Sequence, residues 1–165
     1  MAAPRQKLSL EAFVERYGGV YERSPWVAKK CYERAVGAGT DELARMFRHC
    51  VDDADHDIRL QLIRAHPDLA GRAAIRGELT EESSREQASA GIDQCTADEY
   101  GQFVTCNDAY RQKFSFPFVM AVRNSNRHEI LDAFSRRLEN DSDTEFATAI
   151  GEIHKIARLR LEAMT

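Results

Sequence analysis

The stretch TEFATAIGEIHKIARLRL, residues 144–161, decides the fold class. Phe146, Ala149, Ile150, Ile153, Ile156, Ala157 and Arg160 follow one another at steps of three or one, which lines them up along one side of an α-helix. The turn at residues 141–143 leads into this helix. Working backwards, Ile130, Leu131, Phe134 and Leu138 form the buried face of another helix, with Ser125 as its expected cap. Before it, Tyr100, Phe103, Val104, Tyr110 and Phe114 make a third stripe, opened by a Thr96/Glu99 capping box and stopped by Phe116-Pro117.

The same signals continue to the N-terminus. Thr80 or Ser83 begins a helix that Gly91 closes, and the segment from Asp57, with Ile58, Leu62 and Ala65 on one face, must end close to Pro67. Ser9 caps a first helix ending near Gly18, Ser24 with Pro25 at the first helical position opens a second that stops at Gly37, and Thr40 starts a third. Alternating β-branched runs and Asn-Gly hairpin turns are absent. The expected fold is all-α, a compact single-domain multi-helix bundle over residues 1–165.

A chain of 165 residues with 43% apolar and 30% charged residues has the composition of a soluble globular protein. Its net charge of -4 supplies no basic field for nucleic acid. No apolar run approaches the ~20 residues of a membrane span, and the start MAAPRQKLSL lacks the apolar core of a signal peptide. Cys31, Cys50, Cys95 and Cys106 fall in no Cys-x-x-Cys pair and read as reduced, mostly buried thiols. The ending LEAMT is not a peroxisomal address. The expected location is a bacterial cytoplasm.

Several residues have both a structural and a chemical reading. Arg160 occupies a position where the helical stripe calls for a hydrophobe, so it either snorkels to water near the helix end or offers a shielded guanidinium fork to a carboxylate. His66, just before Pro67, either caps carbonyls at a helix C-terminus or, with its cationic form favoured by the helix dipole, donates a proton. Ser83, Glu86 and Gln87 stand at i, i+3 and i+4 and share a helix face, although Ser83/Glu86 and Ser84/Gln87 also fit capping boxes.

The run Phe116, Phe118, Val119, Met120, Ala121 and Val122 either fills a core or forms a pocket wall whose irregular backbone offers N–H groups to a ligand. Asp52, Asp53, Asp55, His56 and Asp57 are the best metal candidate, and His56-Asp57 has the look of a helical metal-dependent phosphohydrolase. No second His-rich segment completes a shell, so a solvated acidic face is the plainer reading. His128 and His154 read as surface residues. A helical dimerisation or adaptor module is the alternative without catalysis.

Four strings in series carry a resemblance: Ala65-His66-Pro67-Asp68-Leu69-Ala70-Gly71, Ser83-x-x-Glu86-Gln87-x-x-Ala90-Gly91, Phe116-Pro117-Phe118-Val119, and Lys155-Ile156-x-x-x-Arg160-Leu161. In order and spacing the chain resembles the 2-oxo-4-hydroxy-4-carboxy-5-ureidoimidazoline (OHCU) decarboxylase family over nearly its whole length. The resemblance implies an all-helical homodimer working without metal or organic cofactor, which takes OHCU to (S)-allantoin and carbon dioxide. It implies His66 as the acid/base, with Glu86 and Arg160 completing the catalytic set. Pro67, Ser83, Gln87 and the backbone of Phe118, Val119, Met120, Ala121 and Val122 then contact the substrate.

Overall fold

Side-chain caps fix where most helices begin. Ser9 Oγ accepts the Ala12 N–H at 3.2 Å and opens α1 (Leu10–Tyr17). Further helices are α2 (Trp26–Ala35), α3 (Thr40–Asp52) and α4 (His56–Arg64). Thr80 Oγ1 accepts the Ser83 N–H at 3.2 Å to start α5 (Glu81–Ser89). A 3-10 turn, Ile92–Gln94, follows Gly91, whose φ of +72° is the left-handed conformation glycine adopts without strain. The Thr96/Glu99 capping box opens α6 (Ala97–Phe114), with both reciprocal bonds present at 3.2 Å. The remaining helices are α7 (Arg127–Arg137) and α8 (Ser142–Ala163). This computed structural model describes residues 7–71 and 77–165, and among them there is no strand, so the protein is all-α as the periodicity indicates.

Two boundaries differ from expectation for local reasons. Asn126, not Ser125, caps α7, because its Oδ1 reaches the Glu129 N–H at 3.0 Å. Pro25 is itself the N-cap of α2, while Ser24 Oγ turns back to donate to the Glu22 carbonyl at 2.8 Å. On α4 the buried residues are Leu62 and Ile63, whereas Ile58 is 41% exposed in a first turn that projects into solvent beside His56 and Asp57.

The chain forms two compact units, Met1–Ala65 with His154–Thr165, and His66–Ile153. In the first, α2 packs on α1 and α3. Its core is an aromatic cluster in which the buried Phe13 ring lies 4.8 Å from Tyr17, 5.4 Å from Tyr32 and 6.3 Å from Phe47, in the tilted and edge-on arrangements that ring quadrupoles favour. The packing of α2 on α3 also brings Cys31 and Cys50 together, with Cα atoms 6.8 Å apart, and they form a disulfide. That corrects the expectation of four reduced thiols; Cys95 and Cys106 are free and half-buried.

The second unit is organised around Tyr110, fully buried on α6, with the Phe114 ring 4.5 Å, Phe118 5.3 Å and Phe116 5.9 Å away. Phe118 stacks on Phe134 at 3.8 Å. Glu145 is buried in this apolar setting, which is tolerable only because its oxygens are satisfied. The Tyr110 hydroxyl donates to Oε2, Arg137 Nε donates to the same oxygen at 2.9 Å, and Asn140 Nδ2 donates to Oε1 at 2.9 Å. Burial, and then Glu145 beside it, pushes the Tyr110 phenol well above its ordinary value, so it stays a donor.

Candidate active site

The His66 turn begins where α4 ends. Arg64 is the last helical residue, Ala65 caps it, and His66 follows, buried at 6% exposure. Pro67 cannot continue a helix, and the chain leaves through Asp68, Leu69 and Ala70. Ala70 has φ +51°, a left-handed conformation that a residue with a Cβ adopts only when its surroundings hold it there. At Gly71 a Cβ would come within 2.6 Å of Asp68 Cβ, so the turn closes only with glycine in that place.

Four side-chain contacts hold this turn. Gln87 Oε1 accepts the Ala70 N–H at 3.1 Å while its Nε2 donates to the Asp68 carbonyl at 3.3 Å. Asn107 Nδ2 donates to the Leu69 carbonyl at 2.8 Å. Arg111 Nε donates to Asp68 Oδ1 at 2.9 Å. Side chains from α5 and α6 thus fix three successive residues of the loop that carries His66.

On α5, Ser83 and Gln87 are buried and Glu86 is half-buried, so the helix turns the face bearing all three away from bulk solvent. Thr80 takes the capping role that Ser83 or Ser84 had been able to claim, which removes the simplest structural explanation for this group. The fold therefore brings the Ser83/Gln87 face and the His66 turn together through the Gln87 amide.

Residues 117–122 have no regular secondary structure. Phe118, Val119 and Val122 are buried, and Met120 and Ala121 are half-buried. Part of this backbone is engaged internally: the Val119 carbonyl accepts from Arg137 Nη1 at 2.7 Å, and the Ala121 N–H donates to Glu152 Oε2 at 2.9 Å. The Arg137 guanidinium also lies 4.2 Å over the Phe118 ring.

Arg160 belongs to the first unit and does not snorkel. It is 7% exposed; Nη2 donates to Glu22 Oε2 at 2.8 Å and Nη1 to the Gly19 carbonyl at 2.9 Å. Glu22 is itself 1% exposed. A buried carboxylate and a backbone carbonyl thus fix the plane of the guanidinium. Glu22 and Asn107 escaped the sequence reading. Asn107 left a trace, as a polar residue between Phe103 and Tyr110 on the apolar stripe; Glu22 left none, since it precedes α2 in a stretch without periodicity.

His154 corrects another expectation: it is buried, not a surface residue. Both ring nitrogens have partners, the Tyr21 hydroxyl at 2.8 Å on Nδ1 and Asp52 Oδ1 at 2.8 Å on Nε2, which is what allows burial. His56 and Asp57 are exposed, and among the described residues no three His, Cys, Asp or Glu side chains are placed to hold a metal ion. A cavity of about 590 Å³ in the first unit is lined by residues such as Phe13, Arg16, Tyr17, Leu43 and Leu161, and by none of the candidate site residues.

Comparison with known proteins supplies the context for this arrangement. Residues 6–162 match the family model described as OHCU decarboxylase. The chain is 43% identical over 155 residues to the 2-oxo-4-hydroxy-4-carboxy-5-ureidoimidazoline decarboxylase of Haloferax volcanii, covering 94% of this chain and 90% of that protein. It is 44% identical over 155 residues to the protein of the same name from Halalkalicoccus jeotgali, covering 94% and 86%. Among solved structures it is similar to an (S)-allantoin synthase, with a TM-score of 0.74 and 29% identity over 94% of this chain and 50% of that one. On the match to the family model and to these two relatives, the chain belongs to the OHCU decarboxylase family.

Proposed function

We propose that this protein decarboxylates OHCU to (S)-allantoin and carbon dioxide, the last step of urate oxidation in purine catabolism, without metal or organic cofactor. Membership of the family carries the reading, over 157 of the chain's residues counted inclusively from 6 to 162. The buried His66 on a turn held by Gln87, Asn107 and Arg111 supports it independently, because an acid/base must be held still to transfer a proton.

The substrate explains why no cofactor is needed. Its carboxylate sits on a carbon next to a ring C=N bond, so the departing electron pair has a sink within the substrate. The protein has to orient the C–COO bond perpendicular to the ring and deliver a proton to one face. His66 is the acid/base, oriented by Glu86, and protonation from a single side gives the S configuration. Arg160 binds and orients the substrate through its guanidinium plane, which Glu22 fixes. Pro67, Ser83, Gln87 and the backbone of residues 118–122 contact the substrate; Gln87 also holds the His66 turn. The working form is a homodimer in the cytoplasm, the whole chain acting as one decarboxylase domain. No helix among the described residues is long and apolar enough to cross a membrane.

A coupled assay tests this function. OHCU is generated in place with uricase and the hydrolase that follows it, and the circular dichroism of (S)-allantoin is recorded with and without this protein. The expected result is faster appearance of the S enantiomer with the protein. The same spontaneous rate in both samples would refute the activity.

A further inference from the structure

Asn107 lies on the buried side of α6, 3% exposed, four residues after Phe103 and three before Tyr110. Its Nδ2 donates to the Leu69 carbonyl, which sits between the two backbone groups that Gln87 holds. Its Oδ1 is buried and has no hydrogen-bond partner among the described residues. A buried acceptor without a donor works against folding, and leucine, branched alike with the same number of side-chain heavy atoms though bulkier, removes that cost while giving up the bond to Leu69. The two changes oppose each other, so stability gives little reason to keep an amide here. What the amide provides and leucine cannot is a fixed backbone carbonyl three residues after His66.

We propose that Asn107 is a positioning residue for His66. This rests on the reading of His66 as the acid/base. Pro67 fixes its own φ, which leaves Asp68, Leu69 and Ala70 as the joints about which the turn can swing. Gln87 holds the first and third, and Asn107 holds the second. Release of the Leu69 carbonyl lets the His66 ring drift from the proton it must deliver, and a misplacement of about 1 Å costs on the order of 10²-fold in rate. The loss falls mainly on kcat, because Ser83, Gln87 and the backbone of residues 118–122 lie outside the released turn and still meet the substrate when it binds.

The test compares Asn107→Leu and Asn107→Asp with the full-length wild-type chain, measuring kcat and KM on OHCU generated in place together with thermal unfolding. Both variants should lose about 10- to 100-fold in kcat, with KM changed by no more than about twofold. The melting temperature of Asn107→Leu should stay within about 2–4 °C of wild type. The aspartate sets a carboxylate oxygen against the Leu69 carbonyl and should lose at least as much rate as leucine. Should the leucine variant fail to fold, the aspartate variant decides alone. Wild-type kcat in the folded variants overturns the proposal, as does a raised KM at unchanged kcat, which would put Asn107 in contact with the substrate. Failure of the underlying reading looks different: His66→Ala would then turn over at the wild-type rate.

Discussion

Arg160 and Glu22 form a buried ion pair, Nη2 to Oε2 at 2.8 Å, with their side chains 6% and 1% exposed. Removing the acid leaves a buried cation without its counter-charge. Glu22→Ala should therefore destabilise the fold by about 3–5 kcal/mol, and Glu22→Gln, which keeps a polar partner, by less. Urea denaturation of the two variants against wild type measures the difference. Equal, small losses for both would mean that Glu22 is dispensable to the guanidinium.

Arg160→Lys keeps the charge and loses the fork. If the guanidinium binds the substrate through paired hydrogen bonds, KM should rise by about 10- to 100-fold, the worth of one charge-assisted bond, with a smaller change in kcat. Steady-state kinetics with OHCU generated in place reads this directly. An unchanged KM in a folded variant would remove Arg160 from the substrate.

His154 gives a pH dependence whose sign is fixed by its surroundings. Burial holds its pKa below the ordinary 6.5, against the opposing pull of the Asp52 carboxylate. The unfolded chain then takes up a proton near pH 6.5 while the native one does not, so stability falls as pH drops from about 6.5 towards the lower native value. The free energy of unfolding should decline over that range in wild type and decline less in His154→Gln. Identical slopes for the two proteins would show that His154 titrates alike in both states.

Turnover should survive EDTA, because no group in the proposed site calls for a metal. Dialysis against chelator before the coupled assay tests it. Activity lost on chelation and restored by zinc or manganese would redirect attention to His56 and Asp57.

Helices were legible in the sequence wherever a cap and an apolar stripe agreed. The Thr96/Glu99 box and the Phe103/Tyr110/Phe114 spacing locate α6, and Ser9 and Thr80 locate α1 and α5. Boundaries failed where two candidate caps were adjacent: Ser125 and Asn126 differ only in which side chain reaches the Glu129 amide, a matter of loop direction. The sequence was enough to nominate His66, Glu86 and Arg160 as candidate site residues, but not to show their supports. Gln87 spending both ends of its amide on the Asp68–Ala70 backbone, Asn107 reaching Leu69, and Glu22 meeting Arg160 are contacts across 17 to 138 residues of chain. Periodicity reports which side of a helix is buried, not what it meets. His154 shows the same limit, since a histidine among charges reads as exposed until Tyr21 and Asp52 are seen to satisfy it.

The most direct test of the account is the rate of (S)-allantoin formation by His66→Asn, followed by circular dichroism beside wild type, with the melting transition of each recorded. Asparagine keeps polarity at the head of the held turn but has no acidic proton to give. The predicted result is a rate lower by about 10²- to 10⁴-fold in a protein that still unfolds cooperatively near the wild-type temperature. A wild-type rate with an unchanged melting transition would contradict the proton-transfer role of His66.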